Sequence, residues 1–175
     1  MDFLTAPFEA VRDFLELGGD VLTLIAVVIF GMWALIAERI MFFRTNLKVM
    51  GDSIRDAWEA RTERKSWHAH QIRESMISQY SMEANAMVPV IQTLVALCPL
   101  LGLMGTVTGM IEVFDVMAIS GTGNARSMAS GVSKATIPTM AGMVGALSGV
   151  FLVTWITRSI ERQVESLEDS LTMDH

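Results

Sequence analysis

The stretch Ala84–Ile111, ANAMVPVIQTLVALCPLLGLMGTVTGMI, decides the fold. It contains no Asp, Glu, Lys or Arg. As a helix rising about 1.5 Å per residue it would be about 40 Å long, more than the roughly 30 Å hydrocarbon core of a bilayer. Two further runs share this character. Val21–Ala37 (VLTLIAVVIFGMWALIA) is a crossing of minimal length whose far end carries Glu38, Arg39 and Arg44, side chains able to snorkel to an interface, and Ala135–Thr157 is uncharged throughout. With 51% hydrophobic and only 18% charged residues, the chain is too apolar for an ordinary soluble domain. The reading is an all-α integral membrane protein with three transmembrane helices and long helical extensions on the cytoplasmic side.

Direction follows from basic residues. Arg39, Arg44, Lys48, Arg55, Arg61, Arg64, Lys65 and Arg73 crowd the segment between the first two runs, whereas the start holds Arg12 and the last loop holds Arg126 and Lys134. The middle segment is therefore expected in the cytoplasm, with the N-terminus out and the C-terminus in. The expected parts are an outer interfacial helix (1–20), a first span (21–43), a cytoplasmic helical hairpin (44–83) and a second span (84–117). An outer turn (118–126), a third span (127–157) and a cytoplasmic C-terminal helix (158–175) complete the chain.

Within these parts, Leu4, Phe8, Val11 and Leu15 share one helical face, with Thr5 as N-cap and Pro7 in the first turn. The acidic, Arg12-only start lacks the basic region of a signal peptide, so the first span is expected to be retained. Leu47, Ile54 and Trp58 recur at helical spacing, and the pattern of Ile72, Met76 and Tyr80 continues upward into span two. Ile160, Val164, Leu167 and Leu171 make a narrow apolar stripe beyond span three, suited either to solvated extension or to a neighbouring helix.

Several functions are disfavoured. The lone Cys98 permits no internal disulfide, and His68 and His70, two residues apart, point to different faces without a ligand nearby, so no metal or cofactor is expected. A net charge of -6 with no basic surface argues against nucleic acid as a partner. No nucleophile elbow, phosphate loop or intramembrane carboxylate pair is present, and an enzyme is not expected.

Small residues stand out instead. Gly102, Gly105 and Gly109 in span two and Gly142, Gly145 and Gly149 in span three recur at three- and four-residue spacing, which marks close helix packing or, alternatively, the wall of a narrow lumen. Thr106 and Thr139 stand about equally far from the turn marked by Gly121, Thr122 and Gly123, so an antiparallel hairpin would bring them to similar depth. Each could simply bond its own helix. Pro99 and Pro138 add freed carbonyls and possible kinks. Since neither span holds a carboxylate between Ala84 and Ile111 or between Ala135 and Thr157, any titrating group on an ion path must come from a partner.

The run Leu97–Val107 (LCPLLGLMGTV) resembles the APLLGLLGTV signature of the MotA/TolQ/ExbB proton-channel family, and Gly131–Gly142 (GVSKATIPTMAG) resembles its more degenerate GIAEALxxTAxG segment. Within that family the chain is most similar to the short ExbB form that serves a TonB system. The resemblance implies a homopentameric ring in a bacterial inner membrane around two single-span ExbD-like chains, with outer parts in the periplasm. An aspartate from those chains would face Thr106 and Thr139 on the ion path, H+ being the expected coupling ion and Na+ the alternative. Ion flow would drive movement that a TonB-like protein transmits to the outer membrane. A TolQ-like or flagellar-stator-like motor subunit, or a passive membrane scaffold, is the alternative. Departures from the pattern are Lys134 in place of a glutamate at the outer mouth of span three, Pro138 before Thr139, and Thr108 in place of a bulky residue.

Overall fold

The computed structural model describes residues 6–120 and 125–172, with side chains described for 19–119 and 128–172. Five α-helices and one π-helical turn make up the described chain: α1 (Ala6–Phe42), the π turn (Phe43–Leu47), α2 (Lys48–Glu59), α3 (Trp67–Asn85), α4 (Val88–Ser120) and α5 (Ala125–Ser170). Three stretches are long and apolar enough to cross a membrane, within Gly19–Glu59, Trp67–Ile119 and Met128–Ser170. Leu4 and Thr5 of the expected outer helix and the turn Gly121, Thr122 and Gly123 lie outside the described residues, as do the side chains of Phe8, Val11 and Leu15.

The chain divides into two compact units, residues 1–33 with 93–150 and residues 34–92 with 151–175. In the first, α1, α4 and α5 pack on small residues. Gly19 breaks α1 with φ 65° and ψ −160°, backbone angles that a residue with a Cβ rarely adopts, so the helix leading up to Gly19 and the apolar run beyond it are two helical pieces joined at a kink. Leu22, Ile25 and Met32 of α1 are buried, whereas Phe30 is 76% and Leu147 72% exposed. Large apolar side chains turned outward on all three helices are what lipid-facing helices require.

In the second unit, α2 and α3 are joined by a short connection and packed against the C-terminal half of α5. Leu47 and Trp58 are buried, as are Ile160, Leu167 and Leu171. The apolar stripe beyond span three is thus covered by the chain's own helices. The Trp58 indole donates to the Thr172 carbonyl at 3.1 Å, and the Arg73 guanidinium donates to the Leu171 and Glu168 carbonyls at 2.7 and 2.8 Å. Glu168 lies in the last turn of α5 and Leu171 and Thr172 follow its end at Ser170, where carbonyls lack the donors of a continuing helix. Ser66 caps α3, accepting from the Ala69 amide, while its own amide donates to the Glu63 carboxylate at 2.8 Å. Hydrogen bonding to Ser66, through its side chain first and then its amide, holds the Glu63 carboxyl below its ordinary pKa.

The structure differs from the sequence reading between the hairpin and span two. The helical pattern through Tyr80 does not run on unbroken; α3 ends at Asn85 and α4 starts at Val88. Pro89 supplies the reason, because it has no amide to offer the Asn85 carbonyl and its ring crowds that carbonyl. Arg39 fills the gap. Its guanidinium donates to the carbonyls of both Glu83 and Ala84, the latter at 2.5 Å, and lies over the Phe42 ring 4.6 Å from its centre. Arg39 is 3% exposed, so it is packed into the protein rather than snorkelling.

Candidate functional site

The first unit contains the Gly- and Thr-rich faces of α4 and α5. Their register is fixed by steric complementarity. A Cβ built on Gly102 would lie 2.9 Å from the Thr139 Cα; one on Gly109 would lie 2.7 Å from the Ala135 Cβ; one on Gly142 would lie 2.5 Å from the Cys98 carbonyl oxygen. Gly105 meets the Pro138 ring, and Gly131 meets Val113. These pairs ascend in one chain segment as they descend in the other, so α4 and α5 are antiparallel and in close backbone contact. Gly145 packs instead against Ile29 of α1, and Gly149 against Met32 and Val95. All six glycines of the two spans therefore face helices of the same chain.

In this register Thr106, one residue from Gly105, stands at the level of Pro138 and hence of Thr139. The two hydroxyls are used differently. Thr106 Oγ1 donates to the Leu103 carbonyl of its own helix at 2.7 Å, whereas Thr139 Oγ1 crosses to the Gly102 carbonyl of α4 at 2.9 Å. Each oxygen keeps lone pairs that can accept a further hydrogen bond. Both residues are half-buried. Pro99 lies exposed and Pro138 buried, each inside an uninterrupted helix. Cys98 is buried and donates to the Leu94 carbonyl at 3.3 Å. His70 is exposed and pairs with Glu74 at 3.1 Å.

Above the threonine level, toward the turn, a cavity of about 600 Å³ opens between the three helices. Asp20, Thr108, Glu112 and Lys134 line it. The sequence singled out Lys134 and Thr108 separately; the fold puts them in one cavity with two carboxylates. Asp20 and Glu112 were not foreseen, although charged residues bordering an apolar run are the signal that could have found them.

The family model described as "MotA/TolQ/ExbB proton channel family" matches residues 39–169, three quarters of the chain. The chain belongs to the MotA/TolQ/ExbB proton channel family. Among curated relatives, the biopolymer transport protein ExbB-like 1 of Synechocystis sp. is 43% identical over 76 residues, covering 42% of this chain and 30% of that protein. ExbB-like 3 of the same organism is 37% identical over 59 residues, covering 33% and 28%. The chain thus matches under a third of the length of these relatives. As a MotA/TolQ/ExbB family member it carries three helices able to cross a membrane, with the family match reaching from Arg39 through spans two and three into the α5 extension.

Proposed function

We propose that this chain is an ExbB-like subunit of an ion-driven motor in the bacterial inner membrane, which energises TonB-dependent transport across the outer membrane. Five copies form a ring, N-terminus outward, around two single-span ExbD-like chains. An aspartate of those chains moves through the level of Thr106 and Thr139, with H+ as the coupling ion. The observation that carries this reading is the pair of threonine hydroxyls at one level of an α4/α5 hairpin that has no carboxylate of its own there, in a chain of this family.

In this reading the threonines have a defined role. Both hydroxyl protons are committed to backbone carbonyls, so both oxygens act toward a visitor as acceptors. An acceptor favours the protonated, neutral carboxyl, which has a proton to donate, over the carboxylate, which has none. Dehydration near the bilayer centre acts in the same direction. The threonine level is thus the place where a partner aspartate is held neutral. A step away from it toward either aqueous side releases the proton.

The experiment is TonB-dependent uptake in cells whose own subunit is replaced by this chain with its partner, comparing Thr106→Val and Thr139→Val with the unaltered chain. Each replacement keeps the shape and removes the acceptor, so uptake should fall at least tenfold while the chain still accumulates in the membrane. Unchanged uptake in both variants would move the protein to the passive-scaffold class.

A further inference from the structure

The second unit contains a cavity that the motor reading leaves unused. It measures about 360 Å³ and is bounded by the π turn, α2, α3 and α5. Lys48, Arg55 and Arg162 line it together with the single carboxylate of Asp52, and Tyr80 and Gln163 form its polar back wall. Three cations against one carboxylate in a chain of net charge -6 are a local reversal of sign.

Two of the three cations, Arg55 and Arg162, are held in place. Arg55 Nε donates to Ser170 Oγ at 3.0 Å, and its Nη1 is 3.5 Å from Asp52, so Asp52 is already engaged by one of the three cations. Arg162 Nε donates to the Arg158 carbonyl at 3.1 Å. The Tyr80 ring sits on Gly51, where a Cβ would be 3.6 Å from it, and its hydroxyl reaches Gln163 Oε1 at 3.3 Å. Anchored guanidinium groups lose less freedom when an anion arrives.

The depth of this cavity names the anion. The same unit includes the ends of the first span, whose apolar residues 40–43 continue past Glu38 and the buried Arg39 to Phe43, and of the third span, at Thr157. Lys48 and Arg162 each lie five residues beyond those ends. At about 1.5 Å per residue, that is roughly 7 Å past the hydrocarbon. The headgroup layer on each side of a bilayer is about 5–7 Å thick, so these cations stand at the level of lipid phosphates. A basic pocket between helix extensions at this level suits an anionic headgroup, and its size is at the lower end for small-ligand sites.

We propose that this cavity binds the phosphate group of an anionic phospholipid such as phosphatidylglycerol, independently of the motor reading. Lys48, Arg55 and Arg162 supply the charge and Tyr80 one wall. Headgroup binding would tie the π turn, α2 and α5 to the membrane surface.

The test is native mass spectrometry of the full chain, delipidated in a neutral detergent and offered equimolar phosphatidylglycerol and phosphatidylcholine. At least tenfold preferential retention of phosphatidylglycerol is expected, reduced to parity in Lys48→Gln/Arg162→Gln. Arg44→Gln, an exposed cation outside the cavity lining, should retain the preference. A thermal unfolding scan shows whether each variant is folded, and Arg162→Lys, which keeps the charge, should retain part of the preference if the double variant does not fold. Millimolar inorganic phosphate separates the two sources of the same chemistry. Failure to displace the lipid supports the headgroup, whereas displacement at stoichiometric levels overturns it in favour of a soluble phosphate compound. Equal retention of both lipids by the unaltered chain, or equal loss in Arg44→Gln and the double variant, overturns the site altogether.

Discussion

Single residues divide sharply by what a methyl group would meet. At Gly142 an added Cβ lies 2.5 Å from the Cys98 carbonyl oxygen, a backbone atom that cannot turn aside, while at Gly31 it meets nothing within 4 Å. Gly142→Ala should therefore destabilise the folded chain by about 1–3 kcal/mol, the usual cost of overpacking. Gly31→Ala should be neutral or gain up to about 1 kcal/mol from helix propensity. Detergent unfolding midpoints of the two variants check this, and equal midpoints would refute the packing assigned to the α4/α5 seam. The threonines divide in a different way. Thr139→Val loses a bond between helices, worth about 0.6 kcal/mol in membrane proteins, whereas Thr106→Val loses only one within its own helix. A measurable shift in midpoint is expected only for Thr139→Val, although the proposed mechanism requires both hydroxyls.

Elements are joined by contacts of high sequence separation. The α3/α4 break is closed by Arg39, whose Nη2 donates to both the Glu83 and Ala84 carbonyls while the flat guanidinium lies over the Phe42 ring. A lysine is shorter and loses the planar stacking, so Arg39→Lys should destabilise by about 1–3 kcal/mol and raise hydrogen exchange around Asn85–Ile91. Unaltered exchange there would show that Pro89 alone defines the break. The start of α3 has a pH response with a definite sign. Hydrogen bonding to Ser66 depresses the Glu63 pKa, so its contribution is complete above the ordinary carboxylate pKa and is lost as pH falls through the folded value. Amide protection at Ser66–Ala69, corrected for intrinsic rates, should drop as the pH falls below the ordinary carboxylate range in the unaltered chain and be pH-independent in Glu63→Gln.

The legibility of these elements followed the range of the forces involved. Uninterrupted apolarity is a local property, and it alone located three helices able to cross a membrane. The glycine spacing was equally local, and its structural counterpart is the close seam between α4 and α5. Pro89 was a readable breaker, but the apolar pattern on both sides of it concealed the stop. Arg39 was legible as a charge at the end of a span, and nothing near it in sequence announced carbonyls at Glu83 and Ala84. The same holds for Trp58 and Arg73, whose partners Thr172 and Leu171 lie just past the end of α5. The depth match of Thr106 and Thr139 could be counted from the turn, while the reach of Thr139 across to Gly102 required the register itself.

For the whole molecule, the outward apolar side chains of α1, α4 and α5 demand lipid or other protein, and the threonine level lacks the one group that an ion path needs. In the proposed reading, both demands are met by a ring enclosing a partner that carries an aspartate. The most direct measurement is the mass of the intact complex after co-expression of this chain with its presumed single-span partner and purification through the partner. The proposed account predicts five copies of this chain with two of the partner. A homo-oligomer that leaves the partner behind under the same conditions would contradict it, since no titrating group would then stand at the level of Thr106 and Thr139.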